Sequence, residues 1–236
     1  MVNSKEESRI LEVDKSNIGF IKFDYPFVVR DAMNDWEITK LWDFKYFSEN
    51  FGEEIVFITN ADSTKSYEVT LKDYIKYIIT NVEDEEPLYL RDWNYFNNSK
   101  LKKQFNRKVY FVDDYLSELT DDVFPTLKWI YIGPINSYTP PHIDTLKTHA
   151  WNALFVGIKK WTFFKKDFID SDEKDDFKKE TIVYFQKPGE VVFTPSNYLH
   201  SVENITSSIA LTSNFVNEHN IRAFLSDLIT SLKGGD

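Results

Sequence analysis

Cysteine is missing altogether from this 236-residue chain. Its absence excludes a disulfide scaffold, thiolate metal sites and cysteine nucleophiles, and is compatible with any compartment. No apolar run reaches the ~18 residues of a membrane-spanning helix. The first ten residues are polar and mixed in charge, with no signal-peptide core. The expectation is therefore an intracellular protein, cytoplasmic or nuclear, with no membrane partner. Positive charge is also short: 28 Lys and Arg against 38 Asp and Glu leave a formal net charge of −10. That balance argues against a broad nucleic-acid surface and leaves open a basic partner drawn to a local acidic patch. Glycine (7) and methionine (2) are sparse. Rings are not: 20 Phe, 13 Tyr and 6 Trp suggest a β-rich interior packed with aromatics.

The length suits one domain. No repeat, low-complexity tract or linker divides it, so residues 1–236 are read as one unit. Within it, 1–127 mixes helices and strands. Residues 1–16 read as a short helix or loose arm, 25–30 as a strand, 31–36 as a turn, and 39–50 as a helix with Trp42 and Phe47 inward. A strand at 54–59 precedes a polar turn at 60–66. Thr70 with Asp73 is a hydroxyl cap with an acid three residues on, and Leu71, Tyr74, Ile75, Ile78 and Ile79 then recur at helical spacing. An acidic run at 83–86 is followed by a strand at 88–91, a short helix at 100–105 and an aromatic, acidic connector at 110–118.

From Lys128 the pattern turns to short β-type runs, at 129–132, 141–144, 151–156, 160–164, 181–185, 190–193 and 208–212. Turn signals such as Gly133-Pro134, Gly157 and Pro188-Gly189 separate most of them. This density of strands predicts an antiparallel sandwich or barrel over 128–216 rather than a parallel α/β sheet. A charged insert at 167–179 reads as surface helix or loop, and 217–233 as a final amphipathic helix with Ile221, Leu225, Leu228, Ile229 and Leu232 on its apolar side.

Chemistry concentrates at His142, Asp144 and His200. On an extended segment, residues two apart point to the same face, which puts His142 and Asp144 together. His200 lies on a later strand-like run. Two imidazoles and one carboxylate form a facial ligand set suited to a non-haem Fe(II) that keeps open positions, although spacing alone fits any metal that takes such a face. His149, in the turn before Trp151, and His219, ahead of the final helix, read as capping or solvent-exposed residues.

Around these residues an ordered series of motifs resembles the Jumonji C branch of Fe(II)/2-oxoglutarate oxygenases, closest to the small hydroxylase-type members. It comprises Tyr131-Ile-Gly-Pro134, Thr139-Pro-Pro-His142-Ile-Asp144, Trp151-Asn152, Gly157-Ile-Lys159-Lys160-Trp161, Lys187-Pro-Gly-Glu190, Phe193-Thr-Pro195, His200-Ser-Val-Glu-Asn204 and Ile209-Ala-Leu-Thr212-Ser-Asn214-Phe215. Thr145 and Lys147, where close relatives often carry Pro and Gly, depart from the pattern. So does Asn197-Tyr-Leu-His200.

The resemblance implies a double-stranded β-helix, the jelly-roll or cupin barrel, with flanking N-terminal helices and a C-terminal helix. It implies Fe(II) on His142, Asp144 and His200, 2-oxoglutarate as cosubstrate, and O2. Lys159 is carried over as the cation for the cosubstrate's far carboxylate, with Lys160 facing the other way. Thr139, Tyr89 and Asn152 are its helpers, and Thr212 and Asn214 are polar residues near the iron. Trp151, Trp161 and Phe193 read as core packing. The implied reaction is hydroxylation of an amino-acid side chain of a protein or peptide, Lys or Arg first, with 2-oxoglutarate decarboxylated to succinate. Alternatives are demethylation of N-methyl-lysine or N-methyl-arginine, hydroxylation of a small molecule or RNA base, and a non-catalytic metal-binding cupin module. The final helix either pairs with a second copy, giving a homodimer, or caps the barrel.

Overall fold

The structure, a computed structural model, describes residues 9–80, 84–105, 113–119, 127–164 and 181–233. The charged insert at 167–179, Glu83, and residues 1–8 and 110–112 of the expected arm and connector lie outside the described residues. The first half supplies β1 (Leu11–Val13), β2 (Phe27–Val29), α1 (Phe44–Phe51), β3 (Ile55–Thr59), β4 (Ser66–Thr70), α2 (Leu71–Thr80), β5 (Leu90–Trp93) and α3 (Ser99–Gln104). The expected helix at 39–50 is broken. A 3-10 turn ends at Lys40, and α1 starts afresh at Phe44 because the Asp43 side chain accepts from the Tyr46 N–H. Trp42 and Phe47 are both buried.

The hairpin partner β4 was not expected. It runs straight into α2, whose first turn is closed by Thr70 and Asp73: the Thr70 hydroxyl donates to Asp73 Oδ2 at 2.7 Å, and the Asp73 N–H donates to Thr70 Oγ1 at 3.2 Å.

The second half supplies β6 (Lys128–Gly133), β7 (Tyr138–His142), β8 (His149–Val156), β9 (Lys159–Phe164), β10 (Thr181–Gln186), β11 (Val191–Thr194), β12 (His200–Asn204), β13 (Ser208–Phe215) and α4 (Ile221–Lys233). A seven-stranded sheet runs β1-β2-β11-β8-β13-β6-β5, and a four-stranded sheet runs β10-β9-β12-β7. Apart from the parallel pair β1–β2, neighbours in both sheets are antiparallel. From β6 to β13 the chain passes back and forth between the two sheets, pausing in the smaller one only for the β9–β10 pair. This is the jelly-roll sandwich with a C-terminal helix, as expected. The first half extends its larger sheet at both ends, through β2 against β11 and β5 against β6. β7, with Pro140 and Pro141, is the outer strand of the smaller sheet.

The core is ring-rich. Trp36, Trp42, Phe47, Phe51, Phe105, Trp151 and Phe155 belong to one buried cluster, each ring worth about 1.5–3 kcal/mol of transfer free energy. The buried Tyr74 hydroxyl ties α2 to the sheet: it accepts from the Leu90 N–H and lies 2.8 Å from the Ile132 carbonyl. One sequence expectation changes here. His149 is not in a turn but inside β8, 2% exposed, where its Nδ1 accepts from the Ser196 N–H. β8 is buried on both faces, so it lacks the polar alternation that marks a strand with one wet side. In α4 only Phe224 is buried, while Leu225, Ile229 and Leu232 are exposed. Among the described residues no helix is long and apolar enough to cross a membrane.

Candidate metal centre and dicarboxylate pocket

β7 and β12 are antiparallel neighbours, and their register sets His142 directly opposite His200. The two rings lie 4.3 Å apart. Each imidazole is oriented from behind by a backbone carbonyl: Pro140 O lies 2.8 Å from His142 Nδ1, and Tyr198 O lies 2.9 Å from His200 Nδ1. A carbonyl only accepts, so both Nδ1 atoms carry the proton and both Nε2 lone pairs are left for a metal. Burial holds the His200 imidazole below its ordinary value, opposed by the Asp144 charge and aided by His142. The neutral, ligating form is thus the favoured one.

Asp144 joins the two imidazoles from just beyond the strand. β7 ends at His142, and Asp144 sits beyond it at the head of a 3-10 turn, Thr145–Lys147. Its backbone is still extended (φ −58°, ψ 145°), in keeping with the same-face expectation for residues two apart. One ligand atom from each of His142, Asp144 and His200 lies within 4.8 Å of the others, and His142 Nε2 is 3.9 Å from Asp144 Oδ1. Asp144 Oδ2 is buried with no hydrogen-bond partner. A stranded carboxylate oxygen facing two imidazole lone pairs has an unmet requirement for a cation, and this donor set fits Fe(II). The turn is tight. Leu146 and Lys147 both adopt positive φ, 51° and 50°, and at Lys147, where the related pattern has Gly, that conformation costs a Cβ-bearing residue more.

The pocket beside this triad encloses about 460 Å³, part of it open to solvent. All the residues singled out from the sequence line it: Tyr89, Thr139, His142, Asp144, Asn152, Lys159, His200, Thr212 and Asn214. Lys159 is 1% exposed. Its Nζ donates to Tyr89 Oη at 2.7 Å and to Asn204 Oδ1 at 2.9 Å, and among the described residues it has no carboxylate at ion-pair distance. Lys160 faces outward on the same strand and pairs with Glu203 at 3.1 Å. Asn152 Oδ1 is buried without a partner. Thr212 Oγ1 donates to Trp151 O at 2.8 Å, and Asn214 Nδ2 to Thr148 Oγ1 at 2.9 Å, so part of each side chain's bonding is spent on the wall. A buried ammonium without counter-charge at one end and a stranded carboxylate beside two imidazoles at the other fit a metal ion plus a small dianion.

Sequence reasoning missed part of the wall. Tyr131 lines the pocket, and burial pushes its phenol up. Trp151 and Trp161, read as core, are buried and also line the pocket; Trp161 stacks on His200 at 5.9 Å and donates from Nε1 to Gln186 Oε1. The signal for Tyr131 was strand alternation in β6, since Ile130 and Ile132 pack away into the main core.

No family model matches the chain. Among known proteins it is similar to the arginine-specific demethylase JMJ22 of Arabidopsis thaliana, 28% identical over 222 residues, covering 83% of this chain and 43% of the relative. The bifunctional arginine demethylase and lysyl-hydroxylase psr-1 of Caenorhabditis elegans is 26% identical over 242 residues, covering 89% and 60%. The 2-oxoglutarate and iron-dependent oxygenase JMJD4 of Mus musculus is 26% identical over 247 residues, covering 86% and 58%. The chain thus spans 43–60% of the lengths of these relatives. Their names accord with the Jumonji-type resemblance drawn from the motifs.

Proposed function

We propose that this chain, a relative of Jumonji-type oxygenases, is an Fe(II)- and 2-oxoglutarate-dependent oxygenase that hydroxylates an amino-acid side chain of a protein or peptide, Lys or Arg first. The observation that carries the proposal is one pocket holding both the His142–Asp144–His200 triad and a buried lysine that has no counter-charge among the described residues. When bound, iron and 2-oxoglutarate supply the activation of O2, with the keto acid decarboxylated to succinate. The chain's own part is placement. His142, Asp144 and His200 would hold the ion. Lys159 and Tyr89 seat the far carboxylate of the keto acid, Thr139 and Asn152 help orient it, and Thr212 and Asn214 keep the floor polar. Trp151 and Trp161 exclude bulk water from behind.

Demethylation of a methylated arginine or lysine is the second reading. It is favoured by the demethylase activity in the names of JMJ22 and psr-1, and requires only that the hydroxylated carbon be an N-methyl group, which is then lost as formaldehyde. The net charge of −10 supports a basic peptide as substrate. Exposed Leu225, Ile229 and Leu232 on α4 support pairing with a second copy.

The test is anaerobic addition of Fe(II) and 2-oxoglutarate to the protein, followed by succinate release in air. A visible charge-transfer band and uncoupled succinate are expected, and both are expected to vanish in Asp144→Ala. If neither band nor succinate forms with the unaltered protein, the oxygenase reading gives way to a non-catalytic metal-binding module. Mass shifts of one oxygen atom in the host proteome, with and without the gene, separate hydroxylation from demethylation.

A further inference from the structure

The Asn204 amide stands behind Lys159. It is 1% exposed, at the end of β12. Its Oδ1 accepts from Lys159 Nζ at 2.9 Å and from Ser208 Oγ at 2.7 Å, and its Nδ2 donates to Ser137 Oγ at 2.8 Å. Ser137 Oγ in turn donates its single proton to the Pro134 carbonyl at 2.7 Å. A hydroxyl whose proton is committed can only accept, so the group facing it must be Nδ2, which turns Oδ1 toward Lys159. The backbone is pinned as well: the Asn204 N–H donates to Ser137 O at 2.9 Å, and the Asn136 N–H donates to Asn204 O at 2.8 Å. Gly133 closes the cradle, since a Cβ there would lie 2.5 Å from Ser137 Oγ and 2.6 Å from both Asn204 Nδ2 and Tyr89 Cδ2.

We infer that Asn204 is a positioning residue. Its amide, locked by Ser137 and Ser208, aims the Lys159 ammonium into the pocket while leaving that charge for the far carboxylate of a dicarboxylic keto acid. This rests on the oxygenase reading above. An amide suits the task because its carbonyl oxygen orients a cation without neutralising it. A carboxylate in the same place would satisfy Lys159 internally and repel the ligand's own carboxylate. β12 joins the two ends of the seat: His200, Val202 and Asn204 alternate with the outward Ser201 and Glu203, and four residues of strand span about 13 Å.

The experiment is calorimetric titration of the full chain loaded with Mn(II), using 2-oxoglutarate and pyruvate, a keto acid without the far carboxylate. Unaltered protein prefers 2-oxoglutarate. Asn204→Asp binds it about tenfold or more weakly, the size of one lost charge-assisted contact, with pyruvate and Mn(II) affinities unchanged. Asn204→Ser, which keeps a smaller acceptor, falls between the two. A folded Asn204→Asp that retains the normal 2-oxoglutarate-to-pyruvate ratio overturns the inference, as does a fall in Mn(II) affinity of the same size, which would mark a merely structural role. Should Asn204→Asp not fold, the same ratio in Asn204→Ser decides. If unaltered protein shows no preference, or Lys159→Ala keeps it, the dicarboxylate reading beneath fails instead.

Discussion

Replacing Lys159 by Met should make the ligand-free protein more stable and, at the same time, unable to bind a dicarboxylate. Taking an ammonium out of water costs several kcal/mol even after relaxation. Lys159, 1% exposed, is compensated among the described residues by two neutral oxygens, Tyr89 Oη and Asn204 Oδ1, and by the face of the Tyr89 ring at 5.4 Å, each hydrogen bond to a charged group returning about 1.5–3 kcal/mol. Met keeps most of the volume and removes the charge. Asn204 Oδ1 still has Ser208 as donor, so no buried acceptor is stranded there. The two bonds together return about 3–6 kcal/mol, short of the full burial cost by about 1–3 kcal/mol in favour of Met, within the neutral-to-stabilising range seen when buried ion pairs give way to apolar side chains. At about 2–4 °C per kcal/mol for a chain of this length, that is a rise of several degrees in Tm. With 2-oxoglutarate at 100 times its Kd and Mn(II) present, the unaltered protein gains about 2.7 kcal/mol, whereas the variant gains nothing from the dicarboxylate. Thermal melts with and without ligand read both effects. A Lys159→Met protein that melts lower than the unaltered one in the absence of ligand refutes the unpaired-cation argument.

Gly133→Ala should lose about 1–3 kcal/mol in urea unfolding, because the new methyl meets Ser137, Asn204 and Tyr89 at 2.5–2.6 Å and the hydrogen-bonded cradle has no room to yield; an unchanged midpoint would show that β6 can shift. Asp144→Asn should lower Mn(II) affinity about tenfold to a hundredfold, measured by calorimetry, and wild-type affinity would remove Asp144 from the ligand set. Lys160→Ala should leave stability within about 1 kcal/mol and 2-oxoglutarate binding unchanged, since its Glu203 pair is half-exposed; weakened binding would mean that the strand faces are reversed. At high pH, burial raises the phenols of Tyr74, Tyr95, Tyr131 and Tyr184 and pushes Tyr77 up to about 12. Each is favoured neutral in the fold, so the stability it supports is present below pH ~10, the unfolded value, and is lost as pH rises past it. Phenolate absorbance from these residues should appear only with loss of near-UV circular dichroism; smooth titration of all 13 tyrosines in folded protein would contradict the burial.

The barrel was legible because its strands are short, apolar and punctuated by turns, and the candidate site was legible because motifs resembling those of Jumonji-type oxygenases sit in order along them. What alternation could decide, it decided well: adjacent Lys159 and Lys160 separate cleanly, one into the pocket and one to Glu203. It failed where burial is two-sided or the chain leaves regular structure. His149 lies in a strand with no polar face, so nothing in the sequence distinguished it from a turn residue. The shape of the turn after Asp144 was not legible either, because Leu146 and Lys147 are successive left-handed residues of types that seldom adopt that conformation. Asn204 gave no local signal. At a strand end, Asn reads as turn chemistry, and its role emerges only when residues 137, 159 and 208 are brought together by sheet pairing.

The consecutive prolines of β7 have an effect beyond shaping the approach to His142. Successive residues of a strand direct their N–H groups to opposite margins, so whichever way β7 is phased, Pro140 and Pro141 remove one donor from each side. The margin facing β12 tolerates this with an irregular register between His200 and Val202. The outer margin becomes a poor template for a foreign strand, the usual protection against edge-to-edge aggregation. An open sandwich must end somewhere, and this one ends its smaller sheet at the rim of the pocket, on a strand unsuited to recruiting another. The rim of the pocket is thereby left free of a strand that would pair across it.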